Sequence, residues 1–335
     1  MPTTVLIAGG GPAGLEAALA LHRLAGEKVS TTVLAPEDAF VYRPLSVLFD
    51  APAYPLEGIA QDAGFTHVRD RLAAVDVAAR EVRLAGGGTL GYDVLLVAAG
   101  ARTEPPFADA IAFTGAPQDQ ERVLAALQSD ALAFVVPAGP TWPLPVYELA
   151  LLAAGRTDAA LHLVTPEPVP LARFGEHVAE DVRALLARAR VTVHAGTEWT
   201  PGLLAVEHVI TVPRLAGPDL PGLPAGFLVT DEHGRVEGAP GVYAAGDVTA
   251  FEIKQGGIAC QQADAAAEHI AALAGAPLQP EPFTPRLQGL LLTEHWAHYL
   301  RPGGAVAQDA RGLSWPPAKI AGRELARYLK ASTSS

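Results

Sequence analysis

The chain has 335 residues, half of them hydrophobic, with a formal net charge of −12 and a single cysteine. The length accommodates two cores. The acidic balance argues against a nucleic-acid partner, and one cysteine excludes an internal disulfide, which suits a reducing cytoplasm. No apolar run reaches the length of a membrane span, and the first strand begins too early for a signal segment. That strand, Val5–Ala8, runs into Gly9-x-Gly11-x-x-Gly14 and a small-residue helix over Leu15–Leu24. Gly9 allows a tight turn, Gly11 leaves the backbone open to a pyrophosphate, and Gly14 lets the helix lie against the strand. The free N–H groups at the helix start, around Pro12 and Ala13, then face the phosphates. A strand before and a helix after make the motif more specific than its glycines alone. The alternative is a glycine-rich turn with no ligand.

The second strand is expected over Thr31–Leu34, and a meander near Val75–Leu90 around the Gly86-Gly87-Gly88 turn. YDVLLVAAGAR, Tyr92–Arg102, reads as a strand ending in Ala99-Gly100. A second α/β unit follows, with strands over Leu132–Pro137, Ala160–Val164 and Val191–His194 and helices over Tyr147–Ala154 and Val178–Arg190. It is a weak repeat of the first unit with its phosphate loop lost. Only Gly139 remains of the expected glycines, and Pro137, Pro140, Pro143 and Pro145 surround Trp142. Proline has no N–H to offer a phosphate, and its fixed φ opposes glycine conformations. Residues 241–250, GVYAAGDVTA, form an apolar strand ending at Gly246-Asp247. KQGGIACQQA then enters a helix that runs to about Leu273.

Taken in this order, the Gly9–Gly14 turn, Tyr92–Arg102 and the Gly246-Asp247 strand resemble the FAD-dependent pyridine nucleotide-disulphide oxidoreductases over most of the chain. The resemblance implies an α/β fold of two Rossmann-like domains, the first interrupted by the second. The FAD-binding domain would comprise residues 1–103 and 227–283, the NAD(P)-binding-like domain residues 104–226, and a short C-terminal segment residues 284–335. It implies FAD contacts from Gly9, Gly11, Pro12, Ala13, Gly14, Ala99, Gly100, Gly246, Asp247, Gly257 and Ile258, with the Asp247 carboxylate on the ribityl chain or its phosphate. The acidic residue expected about 20 residues past the glycines would fall near Ala35, where the sequence reads Ala35-Pro36-Glu37-Asp38. Glu37 is either a displaced ribose contact or a solvated turn residue. Arg43 stands where relatives bring a loop over FAD and either pairs with phosphate or flavin or is an ordinary surface arginine.

Within the family, the loop Pro-Leu-Pro-Val-Tyr-Glu resembles that of sulfide:quinone oxidoreductases and flavocytochrome c sulfide dehydrogenases, which keep the second domain without using it for NAD. An atypical but working NAD(P)H loop is the alternative. KQGGIACQQA is similar to the segment beneath the flavin in sulfide:quinone oxidoreductases and type II NADH dehydrogenases. That implies positive charge from Lys254 near the flavin, unless it is an ordinary surface lysine, and Gln261 or Gln262 on a quinone or the flavin, one of the pair only capping or solvating the helix. Cys260 is either a flavin-facing thiol or a small core residue. The cysteines that carry sulfur in sulfide oxidation are missing, so Lys254 and Cys260 are the only catalytic candidates.

In the tail, LQGLLLTEHWAHYL suggests paired strands, and a helix follows Pro316-Pro317. Ile320, Leu325, Tyr328 and Leu329, beside Lys319, Arg323, Arg327 and Lys330, form either a basic face for peripheral membrane contact or a docking face for the chain's own core or for a second subunit in a homodimer. His295 and His298 lack partners at metal spacing and are read as packing or surface residues. The function implied is electron transfer through non-covalent FAD from a small donor to a quinone or other small acceptor. An NAD(P)H-dependent reductase with an atypical nicotinamide site and a non-catalytic FAD-binding or redox-sensing protein are the alternatives.

Overall fold

A computed structural model describes residues 1–294, 296–301, 307–309, 319–320 and 322–332. Its first sheet has five parallel strands, in the order Val242–Ala244, Val94–Val97, Thr3–Ala8, Val29–Leu34 and Thr66–Val68. The run Val5–Ala8 is apolar on both faces because the strand is central. Val5 and Ile7 pack towards the helices, and Leu6 and Ala8 towards Leu72, Val75 and Val82 of the meander. Helix Pro12–Ala25 returns over the sheet beside the long helix Gly256–Leu273. The meander is three antiparallel strands, Leu72–Asp76, Glu81–Leu84 and Thr89–Gly91.

The chain crosses to the second sheet and back through one antiparallel pair, Arg102–Glu104 with Arg214–Ala216. The second sheet is also parallel, in the order Ile111–Ala112, His208–Thr211, Ala131–Val135, Ala160–Val164 and Val191–His194. Its helix Leu144–Ala153 is buried at every position but Pro145. A helix this apolar all round needs cover on both sides. One side takes the sheet, and the other takes Gly289–Leu292, the first strand of an antiparallel sheet with Ala297–Leu300 and Ala307–Asp309.

The final helix, Leu325–Ser332, lies on the first unit. Ile320, Leu325 and Leu329 are buried, so the apolar side chains expected on a membrane-facing surface are spent on the chain's own core. This corrects the peripheral-membrane reading of that face. The Glu16 carboxylate caps the helix by accepting from the N–H groups of Glu324 and Leu325 at 2.7 and 2.8 Å. The Tyr328 hydroxyl donates to Asp62 at 2.6 Å. Pro316 and Pro317 lie outside the described residues, as does His295, while His298 is buried on its strand. Among the described residues, no helix is long and apolar enough to cross a membrane, and no group of three metal-ligating side chains forms.

Candidate functional site

The site lies at the carboxyl ends of the first sheet, where the strand order reverses between Thr3–Ala8 and Val94–Val97. Such switch points are where open parallel sheets bind ligands. Gly9 takes φ +132°, and a Cβ there would overlap the Ala98 carbonyl. A Cβ at Gly14 would in turn overlap the Gly9 carbonyl, so the turn admits no side chain at either position. A Cβ added at Gly11 would meet no other part of the protein within 4 Å. Gly11 is also the N-cap of the first helix, with Pro12 in its first turn, and no side chain caps the free N–H groups. A close-packed glycine turn with one open glycine and an uncapped helix fits a dinucleotide pyrophosphate.

Gly246 joins a second helix start to the first. A Cβ there would lie 3.3 Å from both Ala13 and Ala259, so the two helices converge on the Gly246-Asp247 turn. The long helix is also uncapped by side chains at its start, Gln255, with Gly256, Gly257 and Ile258 in its first turn. Ala99 is exposed and Gly100 takes φ +72° at the neighbouring strand end, on the same rim. The Asp247 carboxylate has no hydrogen-bond partner among the described residues, and burial raises its pKa while Lys254 opposes the rise. A flavin dinucleotide, which needs a pyrophosphate turn and a second contact across the sheet, fits this cradle.

Lys254 is buried, and its ammonium donates to the carbonyls of Asp247, at 3.2 Å, and Thr249, and lies 3.7 Å from the centre of the Phe227 ring. Burial lowers its pKa to about 8, with Asp247 pulling the other way. Cys260 is fully enclosed, its sulfur 3.7 Å from the Pro12 carbonyl. Burial first, then Glu16 and Asp264, push the thiol well up, the opposite of an activated thiolate. The core reading of Cys260 replaces the flavin-facing one. Both glutamines are hydrogen-bonded within the chain. Gln262 accepts from Gly246 N–H at 2.8 Å, and Gln261 exchanges hydrogen bonds with Arg286 at 2.8 and 3.1 Å. Neither is held out towards a ligand, which corrects the quinone or flavin contact expected of one of them. Glu37 and Arg43 are exposed on the segment that follows the second strand. His67 and Val68 bond the backbone of the fully buried Ala35, whose Cβ would stand 2.9 Å from one added at Gly10.

The equivalent turn of the second sheet is closed by its own chain. The Pro140 carbonyl accepts from Leu215 N–H at 2.8 Å, and the Thr141 hydroxyl donates to the Pro213 carbonyl at 2.9 Å. Trp142 packs on Phe174 with ring centres 6.1 Å apart. Glu167, the acid past the second strand of this sheet, takes the hydroxyl of the fully buried Tyr147 at 3.3 Å. Burial raises the Glu167 pKa, against hydrogen bonds from Tyr147 and the Leu171 backbone and the charge of Arg173.

Two buried pairs near the site escape sequence reasoning. Lys319 meets Glu148 at 2.6 Å, both almost wholly buried, and Leu292 N–H donates to the same carboxylate oxygen at 2.9 Å. Next to Lys319, Ile320 would stand 3.2 Å from a Cβ on Gly256, so the pair borders the start of the long helix. Glu16 and Asp264 share a buried contact beside Cys260. Burial raises both, and the N–H bonds from Glu324 and Leu325 oppose the rise at Glu16. The available signal was a single carboxylate inside an otherwise apolar helix, as in LPVYELALLA, since such a group demands a partner.

A family model described as pyridine nucleotide-disulphide oxidoreductase matches residues 3–202. Among solved structures, the chain is similar to the sulfide:quinone oxidoreductase of Aquifex aeolicus, with a TM-score of 0.77 and 17% identity over 99% of this chain and 89% of that one. It is similar to the NDH2 of Plasmodium falciparum, solved in complex with NADH, with a TM-score of 0.71 and 13% identity over 99% and 94% of the two chains. It is also similar to a NAD-dependent persulfide reductase from A. fulgidus, with a TM-score of 0.66 and 18% identity over 88% and 63%. At these identities the likeness is one of fold.

Proposed function

The chain belongs to the pyridine nucleotide-disulphide oxidoreductase family, and we propose that it is an FAD-dependent oxidoreductase whose electron donor is neither NADH nor NADPH. One observation carries this reading: the turn that would hold a nicotinamide dinucleotide is tied to residues 213–215 and carries prolines where N–H groups are needed. FAD is taken by residues 1–103 and 227–283 through the Gly9–Gly14 turn, Ala99-Gly100, Gly246-Asp247 and the Gly256–Ile258 helix start. When bound, FAD supplies two-electron acceptance and release.

The residues of the chain bind and orient. Gly11 and the first helix start receive the pyrophosphate. Asp247 would take a hydroxyl or phosphate-side group of the ribityl chain, and the uncapped start of the long helix would favour negative charge on a bound flavin. Lys319 and Glu148 keep a charged, hydrogen-bonded wall beside that helix. A quinone is the proposed class of acceptor, by fold-level analogy with the Aquifex enzyme.

Anaerobic addition of NADH and then NADPH to the FAD-loaded protein tests the reading through the visible flavin band. The band is expected to persist through both additions and to bleach with dithionite. Rapid bleaching by either nucleotide would make the chain a nicotinamide-dependent reductase instead, the reading favoured by the NADH-bound likeness. Failure to retain FAD would remove the proposal altogether.

A further inference from the structure

We propose that Lys254 is a positioning residue whose ammonium clamps the Gly246–Thr249 turn from behind, and that retention of FAD depends on that charge. The inference rests on the FAD reading above and deepens it.

The geometry sets the role. The ammonium takes the Asp247 and Thr249 carbonyls and the face of Phe227, three partners that leave it no free donor direction towards a ring. It holds the main chain of Asp247 and not its carboxylate: no ion pair joins the two among the described residues, and the carboxylate keeps no hydrogen-bond partner there. The turn is also held from the opposite side. Gln262 accepts from Gly246 N–H at 2.8 Å, and the Thr249 hydroxyl donates to the Gly246 carbonyl at 2.9 Å. Lys254 and Gln262 therefore both hold the turn, and the Asp247 carboxylate is left without a hydrogen-bond partner among the described residues. Gly246 is wedged between Ala13 and Ala259, so a shift of the turn moves both helix starts.

Asp247 is the charged group that faces Lys254, and Phe227 is the other side chain packed on the ammonium. Loss of the lysine proton removes the cation–π contact and the charge-assisted character of both carbonyl bonds. With the Lys254 pKa lowered to about 8 by burial, FAD affinity is expected to fall as pH rises through that value.

The test follows FAD release from the holoprotein on dilution, read as free-FAD fluorescence, between pH 7 and pH 9.5. Wild type is expected to release FAD more readily above pH 8. Lys254→Met, which removes both charge-assisted carbonyl bonds, is expected to weaken retention about tenfold or more, the worth of at least one such bond, and to remove the pH step while its circular dichroism is unchanged. Lys254→Arg, charged throughout, is expected to keep wild-type retention at pH 7 and to lose the step. If Lys254→Met does not fold, the wild-type and Lys254→Arg pH series decide alone. A wild-type affinity flat from pH 7 to 9.5, or a folded Lys254→Met that keeps both affinity and step, overturns the inference. Absence of FAD from wild type would instead fail the functional reading on which it rests.

Discussion

The two parallel sheets of this protein follow the same plan of strand, turn and helix, yet their turns are opposites. At Gly9–Gly14 the backbone is packed against itself at Gly9 and Gly14, open at Gly11, and uncapped at the helix start. At Pro137–Leu144 the prolines remove donors, Leu215 and Thr141 tie the loop down, and Trp142 fills space against Phe174. The sheets are equally regular. On the proposed reading, a few backbone groups decide whether a nucleotide site is kept or lost, while the surrounding fold is retained for packing.

The largest effect that tests this contrast comes from adding one methyl group to each turn. Gly9→Ala places a Cβ on the Ala98 carbonyl at φ +132°, with no flexible neighbour to yield, and is expected to abolish FAD retention and most folded protein. Gly139→Ala meets nothing nearer than an Arg214 carbon at 3.8 Å and carries only the cost of φ +98°, about 1–2 kcal/mol. It is expected to bind FAD as wild type does. Expression, circular dichroism and the flavin band of the two variants measure the difference.

Next is the Glu148–Lys319 pair, which ties the second-unit helix to the C-terminal segment. Glu148→Gln leaves a buried ammonium unpaired and is expected to cost about 3–5 kcal/mol in denaturant unfolding. A Glu148→Leu/Lys319→Met double variant is expected to recover most of that loss. Equal losses for the single and double variants would contradict a paired charge.

A smaller effect separates the two features that close the second turn. Tyr147→Phe frees Glu167 and deprives Leu171 N–H of its acceptor, for an expected loss of about 1–2 kcal/mol. The flavin is expected to remain unreduced by NADH, because the proline turn stays closed. Bleaching would place the block at the Tyr147–Glu167 contact alone.

The smallest effect is a pH slope. Burial, and then the neighbouring Glu16, raise the folded Asp264 pKa to about 8 against the charge of Arg323, whereas the unfolded value is near 3.8. Between these pKa values the folded state binds the extra proton, so this residue's share of stability is complete below pH 3.8 and lost as pH rises towards the folded value. Asp264→Asn is expected to flatten the fall in Tm from pH 5 to pH 8. An unchanged slope would put the proton elsewhere.

What could be read in the sequence was local. Val5–Gly14 combines strand, turn and helix start in one short window, Gly241–Asp247 combines strand and turn, and each forms as expected. The lost glycines at 137–143 were equally plain, because missing donors are a property of the residues themselves. The partners of isolated polar groups were not legible. Glu16 caps a helix more than 300 residues away, and Glu148 finds Lys319 across 171 positions. Gln261 and Gln262 looked alike as ligand contacts, yet adjacent positions on a helix point in different directions. One bonds Arg286 and the other Gly246. The tail helix showed an apolar stripe whose cover, the first unit itself, is set by tertiary contacts that periodicity does not name.

The most direct test of the contrast is calorimetric titration of one flavin-stripped preparation, first with FAD and then with NADH and NADPH. One FAD per chain with no saturable heat from either nicotinamide nucleotide is predicted. Saturable binding of NADH or NADPH at one per chain, on top of bound FAD, would contradict a second turn closed by its own residues.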